Sequence, residues 1–471
     1  MPDDVLLEIF DVYVSRAKRK QEWHTLVHVC RRWRCVVFQS PHRLNLQLLC
    51  THTTPVKKKL RVWPALPIVI LGYDYPWSLV KGTANIIAAL EHRERIREID
   101  LQNVPVSVLA KLVELMQEPF PSLRRLALET NHESALTLPD TFLAGSAPHL
   151  QILRLTGIPF PELPNLLLSA SHLVELHLDD IPHSGYISPE AIVTCLSALT
   201  RLKSLNIKFR SPFFRPDPTN RPLPPLTRVT LPTLSSLRFK GVSDYLEDLV
   251  AQIDTPLLGS LSITFFHQLV FDTPQLRQFV RRPDKLKEPV EAQVVFLRKA
   301  VEVSLYSCRQ SVHHKILGLV ILCRESDWQL SSLSQICSSV LSPQCTFGCL
   351  NIGEDHHPPH WYNDTENIQW FELLQPFTPV KDLCLSKTLG LRVLHALDEL
   401  TREGVTGVLP ALQNIFIHEL GPGPSGTFQN DLTELLRYPT GVVETVDGEF
   451  VAPRLGQLSG HPVAVRRCSM N

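Results

Sequence analysis

The residues with the clearest potential for chemistry lie in the segment EDHHPPHWYND, at positions 354 to 364. It brings together Asp355, His356, His357 and His360, which are residue types that bind zinc. Adjacent histidines on an irregular loop rarely converge on one ion, and no further cysteines or carboxylates follow at a fixed spacing. We therefore expect a solvated loop here and no metal site.

Other reactive residue types also fail to form a recognisable site. Cys337, Cys345 and Cys349 lack paired C-x-x-C spacing, so we expect them to pack in a core. No phosphate-loop, dinucleotide, nucleophile-elbow or zinc-protease motif is present. The glycines of GPGPSG, at 421 to 426, alternate with prolines, which lack the amide donors of a phosphate cradle. A catalytic Cys/His pair that the fold brings together from distant segments stays an open alternative. The patterns nevertheless favour a protein that is not an enzyme and needs no cofactor.

Length and charge limit the kinds of protein that this chain can be. Its 471 residues exceed one typical core, so either several domains or an elongated repeat array is expected. The 47 Lys and Arg balance the 47 Asp and Glu, which argues against nucleic-acid or anionic-membrane binding. The basic run at 57 to 59 is therefore interpreted as a solvated linker.

Cysteine usage and hydropathy indicate the cellular compartment of the protein. The 11 cysteines lie mostly in apolar segments without regular pairing, which is typical of reduced core residues. The N-terminus has no basic leader, and no apolar run reaches the length of a membrane span. We expect a protein of the cytoplasm or nucleus that is neither secreted nor inserted in a bilayer.

The first 46 residues predict two or three short helices. Val5, Leu6, Ile9, Phe10 and Tyr13 repeat at helical spacing and give one apolar face, and a second helical pattern runs from Trp23 to Val37 before Ser40-Pro41 ends it. A unit this small cannot bury its tryptophans alone. Its apolar face must therefore dock either on a partner or on the rest of the chain.

This segment resembles an F-box, the helical motif that docks on the Skp adaptor of cullin-based ubiquitin ligases. The resemblance rests on Pro2, Asp4, the run Leu6 to Phe10, Leu26, the run Val29 to Arg34 and Ser40-Pro41. Met1 stands where the family usually has leucine, which implies either a start within the motif or further residues upstream. The resemblance implies that the following residues face the adaptor: Pro2, Leu7, Ile9, Phe10, Leu26, Cys30 and Trp33. Arg31, Arg32 and Arg34 would be solvated or rim charges.

A leucine motif returns along the body of the chain. The pattern L-x-x-L-x-L starts at 96, 123, 150, 173, 202, 234 and 258, and it resumes at 347, 380 and 412. Spacings of roughly 23 to 33 residues are close to the period of leucine-rich repeats. Amphipathic stretches between the copies, such as VSVLAKLVELMQE, indicate a helix after each strand. The proline-rich segment 211 to 232 is expected to be a long loop.

The predicted fold class is α/β: a short N-terminal helical F-box followed by an irregular leucine-rich-repeat solenoid, with a concave parallel sheet and convex helices. The expected divisions are an F-box-like motif at 1–46, a connecting segment and repeat cap at 47–95, and repeats at 96–266. Divergent repeats at 267–344, repeats at 345–420 and a tail at 421–471 follow. The chain also resembles the long F-box and leucine-rich-repeat proteins expanded in mushroom-forming fungi, on blocks such as WFELLQPFTPVKDLCLSK and VLPALQNIFIHEL.

The polar positions between the leucines of each strand are expected on the concave face, since strand side chains alternate. Target-binding candidates on that face are Glu98, Asp100, Arg125, Arg154, Glu175, His177, Asn206, Lys208 and Arg238. This stripe runs from acidic to basic and could recognise a charged segment, although exposed strand positions are commonly polar without such a role.

Two functions follow as hypotheses. The first is a non-catalytic substrate receptor of a ubiquitin ligase, whose partners are a Skp-type adaptor, a cullin bound through it, and an unknown target protein. The alternative is a leucine-rich-repeat scaffold without a ligase role, in which the N-terminal helices cap the array.

Overall fold

The computed structural model describes most of the chain in two compact units, residues 1–210 and 211–471. The described residues are 1–16, 23–41, 43–72, 76–130, 136–212, 227–268, 270–287, 289–309, 312–325, 328–341, 347–355, 366–402, 408–418, 444–446, 449–452 and 463–468.

The first unit begins with helices and continues with alternating strands and helices. Its elements are α1 (Asp3–Arg16), α2 (Trp23–Val29), α3 (Arg31–Gln39), β1 (Leu48–Thr51), α4 (Val56–Val62), β2 (Ile68–Gly72), α5 (Pro76–Leu90), β3 (Ile96–Leu101), α6 (Val106–Leu115), β4 (Arg125–Glu129), β5 (Ile152–Thr156), α7 (Leu163–Ser169), β6 (Glu175–Ile181), α8 (Pro189–Leu196) and β7 (Ser204–Phe209).

The strands of the first unit form a parallel sheet in chain order, from β1 to β7. Register follows the leucine motif, so that Leu126 of β4 pairs with Leu153 of β5, which pairs with Leu176 of β6. These leucines are fully buried, as are Leu109 and Leu112 of α6. The leucine rows therefore form the core between sheet and helices, and the alternate side chains lie on the other face of the sheet, called here the open face.

The second unit is built from the same kinds of element. These are β8 (Val229–Thr230), β9 (Ser236–Gly241), α9 (Ser243–Gln252), β10 (Ile253–Asp254), β11 (Ser260–Phe265), α10 (Pro274–Arg281), β12 (Glu291–Leu297), β13 (Ala300–Arg309), β14 (Val312–Leu322), α11 (Trp328–Val340), β15 (Cys349–Glu354), α12 (Glu366–Leu374), β16 (Asp382–Ser386), α13 (Lys387–Arg402), β17 (Asn414–His418), β18 (Glu444–Val446), β19 (Glu449–Ala452) and β20 (Val463–Cys468).

The sheet of the second unit is parallel except around two insertions. Its strand order is β9, β11, β14, β13, β12, β15, β16, β17, β20, β19 and β18, with a separate pair of β8 and β10. Strands β12, β13 and β14 form an antiparallel meander, and β19 is antiparallel to both β18 and β20. In the segment where divergent repeats were expected, the chain therefore reverses direction twice within the sheet.

All ten copies of the leucine motif form strands, which confirms the repeat prediction at the level of secondary structure. The predicted helices between copies are present as well, for example α6 and α8. The mixed α/β fold with a sheet dominated by parallel strands agrees with a leucine-rich-repeat arrangement. Most of the proline-rich loop, at 213–226, lies outside the described residues, as do GPGPSG at 421 to 426 and Cys345.

Candidate interaction surfaces

The N-terminal helices form a small aromatic core of their own. Phe10 of α1 is fully buried, and its ring packs edge-on against Trp33 of α3, with the centroids 4.7 Å apart. Leu26 and Val27 of α2 are buried beside this pair of helices. The apolar residues at helical spacing therefore hold the three helices to one another.

One side of this helical unit docks on the connecting segment that follows it. Trp23 Nε1 donates a hydrogen bond of 3.1 Å to the carbonyl of Gln47, and the ring of Trp63 packs edge-on against Trp23 at 5.4 Å. His24 stacks on Trp63 with an interplanar angle of 10°. Burial lowers the pKa of His24 to about 4, helped by the nearby charges of Lys59 and His28. Part of the apolar surface is thus used within the chain, as the capping alternative requires.

The other side of the helical unit leaves apolar side chains exposed. Val5, Ile9, Val12 and Tyr13 lie on one face of α1 at the spacing i, i+4, i+7 and i+8, and each is more than 40% exposed. We call these four residues the α1 stripe. Exposed apolar side chains that share one face of a helix are a feature of protein-binding sites.

The residues that the F-box resemblance implies as adaptor contacts fall into two groups. Pro2, Ile9 and Cys30 are exposed, whereas Leu7, Phe10 and Leu26 are buried and Trp33 is half-buried. Cys30 also caps α3, since its Sγ accepts a hydrogen bond from the amide of Trp33 at 3.4 Å. The buried members can serve an adaptor site only by shaping the helices, and the role of the whole set stays a prediction.

The basic residues of α3 are solvated, and one of them is paired. Arg32 Nη2 lies 2.8 Å from Asp3 Oδ1 at the start of α1, with both side chains more than half exposed. Arg31 is exposed too, and Arg34 Nε donates to the carbonyl of Val27. These contacts tie α3 to α1 and α2, and exposed pairs of this kind contribute little stability.

The open face of the first unit carries polar side chains in two neighbouring rows. Glu98, Arg125 and Glu175 lie in one row, in which Ile152 separates the last two. The other row contains Asp100, Ala127, Arg154, His177 and Asn206. The predicted target-binding positions of the first unit are therefore brought together on one surface by the register of the sheet.

Most of these charges are paired across adjacent strands. Arg125 Nη2 donates to Asp100 Oδ2 at 3.0 Å, and Arg154 Nη2 donates to Glu175 Oε2 at 2.7 Å, where His177 also lies within 3.7 Å. These bonds connect the two rows diagonally. The carboxylates and guanidinium groups on this surface therefore neutralise one another locally.

The last strand of the unit shows the same pattern. Asn206 Nδ2 donates to both carboxylate oxygens of Asp179 at 3.0 Å, and Lys208 Nζ lies 2.9 Å from the same carboxylate. Asp179 is therefore the centre of a three-residue cluster with Asn206 and Lys208. Arg238, in the second unit, is exposed on β9.

A cavity of about 600 Å³ lies on the open face of the second unit, towards the carboxyl ends of β12, β15 and β16. Its lining includes Gln293, Val295, Asn351, Gly353, Glu354, Asp355, Cys384 and Ser386. None of these residues except Asp355 was considered for a ligand site from the sequence. The leucine motif aligns β15 with β16, but β12 lies outside the motif copies, so the sequence did not place Gln293 and Val295 beside them.

Metal binding finds no support in the part of the chain that the structure covers. Within the described ranges, no group of three or more His, Cys, Asp or Glu side chains could hold a metal ion. His356, His357 and His360 lie outside those ranges, so the expectation of a solvated loop there stays a prediction. Among the helices that are described, none combines the length and the apolar character needed to cross a membrane.

Comparison with known proteins gives little further information. No family model matches the chain, and no curated protein matches it. Among solved structures, the leucine-rich repeat-containing protein LegL7 from Legionella pneumophila aligns with 83% of this chain and 97% of its own, at 11% sequence identity and a TM-score of 0.26. A likeness at this TM-score is a distant one and carries no weight for function.

Proposed function

We propose that this chain is the substrate-recognition subunit of a Skp-cullin-F-box ubiquitin ligase in the cytoplasm or nucleus. The N-terminal helices bind a Skp-type adaptor, which connects the chain to a cullin, and the open face of the repeat strands holds a target protein. The receptor has no catalytic group of its own. It raises the effective concentration of target lysines near the conjugating enzyme, and other subunits transfer the ubiquitin.

The α1 stripe is the observation that carries this proposal. The helical unit already docks on the connecting segment through Trp23 and His24, yet Val5, Ile9, Val12 and Tyr13 are each still more than 40% exposed. A helix that served only as a cap would have no use for a second apolar face. The F-box resemblance includes Ile9 of this stripe among the residues that face the adaptor, and this supports the choice of partner.

A binding experiment with purified full-length chain and a Skp-type adaptor tests the proposal. Ile9→Asp places a charge in the middle of the α1 stripe at a residue that is 48% exposed, so it should leave the helices folded. Leu168→Asp is the matched control, because Leu168 is 51% exposed on α7, within the repeats. We expect Ile9→Asp to weaken adaptor binding by about tenfold or more, and Leu168→Asp to leave it unchanged.

Circular dichroism of both variants separates binding from folding. If folded Ile9→Asp protein binds the adaptor as tightly as wild type does, the α1 stripe is not the adaptor site. Wild-type protein that does not bind any Skp-type adaptor would reject the ligase role. In that case the packing of Trp23 and His24 on Trp63 would favour the scaffold function, with the helices as a cap.

A further inference from the structure

Gln293 and Asn351 lie side by side on the open face of the second unit. Gln293 belongs to β12 and Asn351 to β15, and the register of these parallel strands pairs the two residues directly. Neighbouring strands are about 4.8 Å apart, so one small ligand can reach both carboxamide groups. Both side chains line the cavity of the second unit. The sheet therefore brings two amides to the same wall of an open space.

Glu291 fixes the orientation of the Asn351 side chain. Asn351 Nδ2 donates a hydrogen bond of 2.6 Å to Glu291 Oε1. Because a carboxylate only accepts hydrogen bonds, the NH₂ group of Asn351 must face Glu291, and its Oδ1 lies on the other side of the carboxamide. His313 Nδ1 lies 3.2 Å from Glu291 Oε2, on the second oxygen of the same carboxylate. Asn351 therefore presents an acceptor, because its donor is already used.

Tyr306 orients the Gln293 side chain in the opposite sense. The Tyr306 hydroxyl donates a hydrogen bond of 3.0 Å to Gln293 Oε1, so that Nε2 lies on the other side of the carboxamide. Neither Gln293 Nε2 nor Asn351 Oδ1 has a hydrogen-bond partner among the described residues, and neither atom is enclosed. A ligand in the cavity therefore meets a donor from Gln293 beside an acceptor from Asn351.

A donor beside an acceptor is the pattern that one residue of an extended chain needs. In the β conformation the N–H and the C=O of a residue point to the same side, as in the hydrogen-bonded pairs of antiparallel strands. Asn351 Oδ1 can accept from that N–H while Gln293 Nε2 donates to that C=O. A cation offers no acceptor and a carboxylate offers no donor, so neither of them can use both amides. The pair therefore favours main chain over a charged group.

Gly353 leaves room for the side chain of such a residue. It follows Asn351 by two positions on β15, on the same face, and it is paired with Val295 of β12. A Cβ atom built on Gly353 would meet no atom within 4 Å. Because Gly353 does not have a positive φ, the backbone does not require its lack of a side chain. Val295 and Leu297 line the space, which suits an aliphatic side chain.

We propose that Gln293 and Asn351 hold the main chain of an extended protein segment on the open face of the second unit. Asn351 accepts from the N–H of one residue, and Gln293 donates to the C=O of the same residue. The side chain of that residue lies over Gly353 against Val295. This inference deepens the proposed function, on which it rests, by stating that a target presents an extended segment. Main-chain hydrogen bonds of this kind provide affinity, and side-chain pockets provide selectivity.

A peptide with a single N–H group tests the inference on the full-length chain. In acetyl-Pro-Val-Pro-dimethylamide only the valine carries an N–H, and the proline after it favours an extended valine. The control peptide contains N-methylvaline and lacks this N–H. Both peptides are titrated and followed by ligand-observed NMR. We expect saturable binding of the valine peptide in the millimolar range, and binding of the N-methylvaline peptide that is about fivefold weaker.

Substitution of each amide connects the binding to the pair. Asn351→Leu removes the acceptor and Gln293→Met removes the donor, and each should weaken binding of the valine peptide about fivefold. Asn414→Leu is the matched control for Asn351→Leu. Asn414 Nδ2 donates to Asp382 on the neighbouring strand at 2.8 Å, as Asn351 does to Glu291, but Asn414 lies outside the cavity lining. This variant should bind the peptide like wild type.

Filling the space over the glycine gives an independent test. Gly353→Phe should abolish binding of the valine peptide, whereas Gly348→Phe, where a Cβ also meets nothing and which lies outside the lining, should not. Circular dichroism checks that each variant is folded. Equal binding of the two peptides, wild-type binding by folded Asn351→Leu, Gln293→Met or Gly353→Phe, or no saturable binding up to about 10 mM would overturn the inference.

Adaptor binding of the same proteins keeps the two proposals separate. The α1 stripe belongs to the first unit, and Gln293 and Asn351 belong to the second. Asn351→Leu should therefore bind the Skp-type adaptor like wild type. Wild-type protein that binds the adaptor but not the valine peptide would reject only the main-chain site. Wild-type protein that binds the peptide but no Skp-type adaptor would reject only the ligase role.

Discussion

Phe10 and Trp33 form the aromatic contact that joins the first and third helices, with an interplanar angle of 60° and centroids 4.7 Å apart. Edge-to-face pairs of this geometry add about 0.5 to 1.5 kcal/mol to the stabilisation from burial. Because Phe10 is fully buried and Trp33 half-buried, the pair stabilises the helical unit from inside. Removing this aromatic pair should therefore destabilise the helical unit, and any effect on partner binding should follow from that loss of structure.

Phe10→Ala is predicted to unfold the N-terminal helices while the repeats stay folded. Truncating a buried phenylalanine costs about 3 to 5 kcal/mol, which is more than three short helices can be expected to tolerate. Hydrogen exchange should show lost protection in α1 to α3 and unchanged protection in β4 to β6. Protected helices in the variant would mean that Phe10 contributes much less than its burial indicates.

His24 is predicted to stay neutral throughout the physiological pH range. Burial between Trp23 and Trp63 lowers its pKa to about 4, from an ordinary value of 6.5. The unfolded chain therefore takes up a proton before the folded one does, so the stability of the helical unit is complete above pH 6.5 and falls as the pH drops towards 4. Below pH 4 the contribution of neutral His24 to the stability of the helical unit is lost completely.

NMR titration of the imidazole provides the measurement for His24. A midpoint near 4 is expected, and His24→Gln should flatten the pH dependence of helix protection between 6.5 and 4. A His24 midpoint near its ordinary value of 6.5 would show that the ring is not enclosed.

Much of the fold was predictable because the leucine motif sets strand position and register together. Each copy contributes inward leucines, such as Leu153 and Leu176, that must align with their neighbours to be buried. The meander of β12 to β14 was not predictable. Its first turn places Arg298 and Lys299 between Leu297 and Ala300, and neither residue is typical of a two-residue hairpin, which usually contains glycine or asparagine.

The candidate surfaces were predictable to different extents. The alternation of strand residues placed Arg125, Arg154 and Glu175 on one face, as the structure has them, but it could not give the pairing between neighbouring strands. The helical pattern of the first helix treated Ile9 and Phe10 alike. Only packing against α3 separates them, because the burial of one apolar residue on a broad face depends on where the next helix crosses it.

Asp100 and Arg125 are predicted to be energetically coupled. Their contact of 3.0 Å joins β3 to β4, and the Asp100 side chain is only 5% exposed. Asp100→Asn should destabilise the first unit by about 1 to 3 kcal/mol, because it leaves a partly buried guanidinium group without its carboxylate. Arg125→Met in addition should recover part of that loss, since no unpaired charge then remains.

A double-mutant cycle in denaturant measures the coupling between Asp100 and Arg125. The exposed pair of Lys287 and Asp284 is the control, and Asp284→Asn should leave stability unchanged. Strictly additive effects of Asp100→Asn and Arg125→Met would show that the contact is not maintained in solution.

Cys349 is predicted to be the more reactive member of a cysteine pair that spans two strands. Its Sγ lies 3.9 Å from that of Cys384, and a hydrogen bond from Cys384 lowers the pKa of the Cys349 thiol. Burial has the opposite effect elsewhere and raises the pKa of Cys50 and of Cys195 to about 11. Because the thiolate is the nucleophile, iodoacetamide at neutral pH should modify Cys349 well before Cys50 or Cys195.

Peptide mapping by mass spectrometry follows the alkylation of each cysteine in the folded chain. Cys384→Ala removes the donor and should raise the pKa of Cys349, so that its modification slows and the midpoint of its pH-rate profile moves upward. Cys337→Ala is a control, because Cys337 is fully buried at a different position, in α11. A Cys349 profile that does not change in Cys384→Ala would mean that exposure alone sets its reactivity, and that the two sulfur atoms act independently.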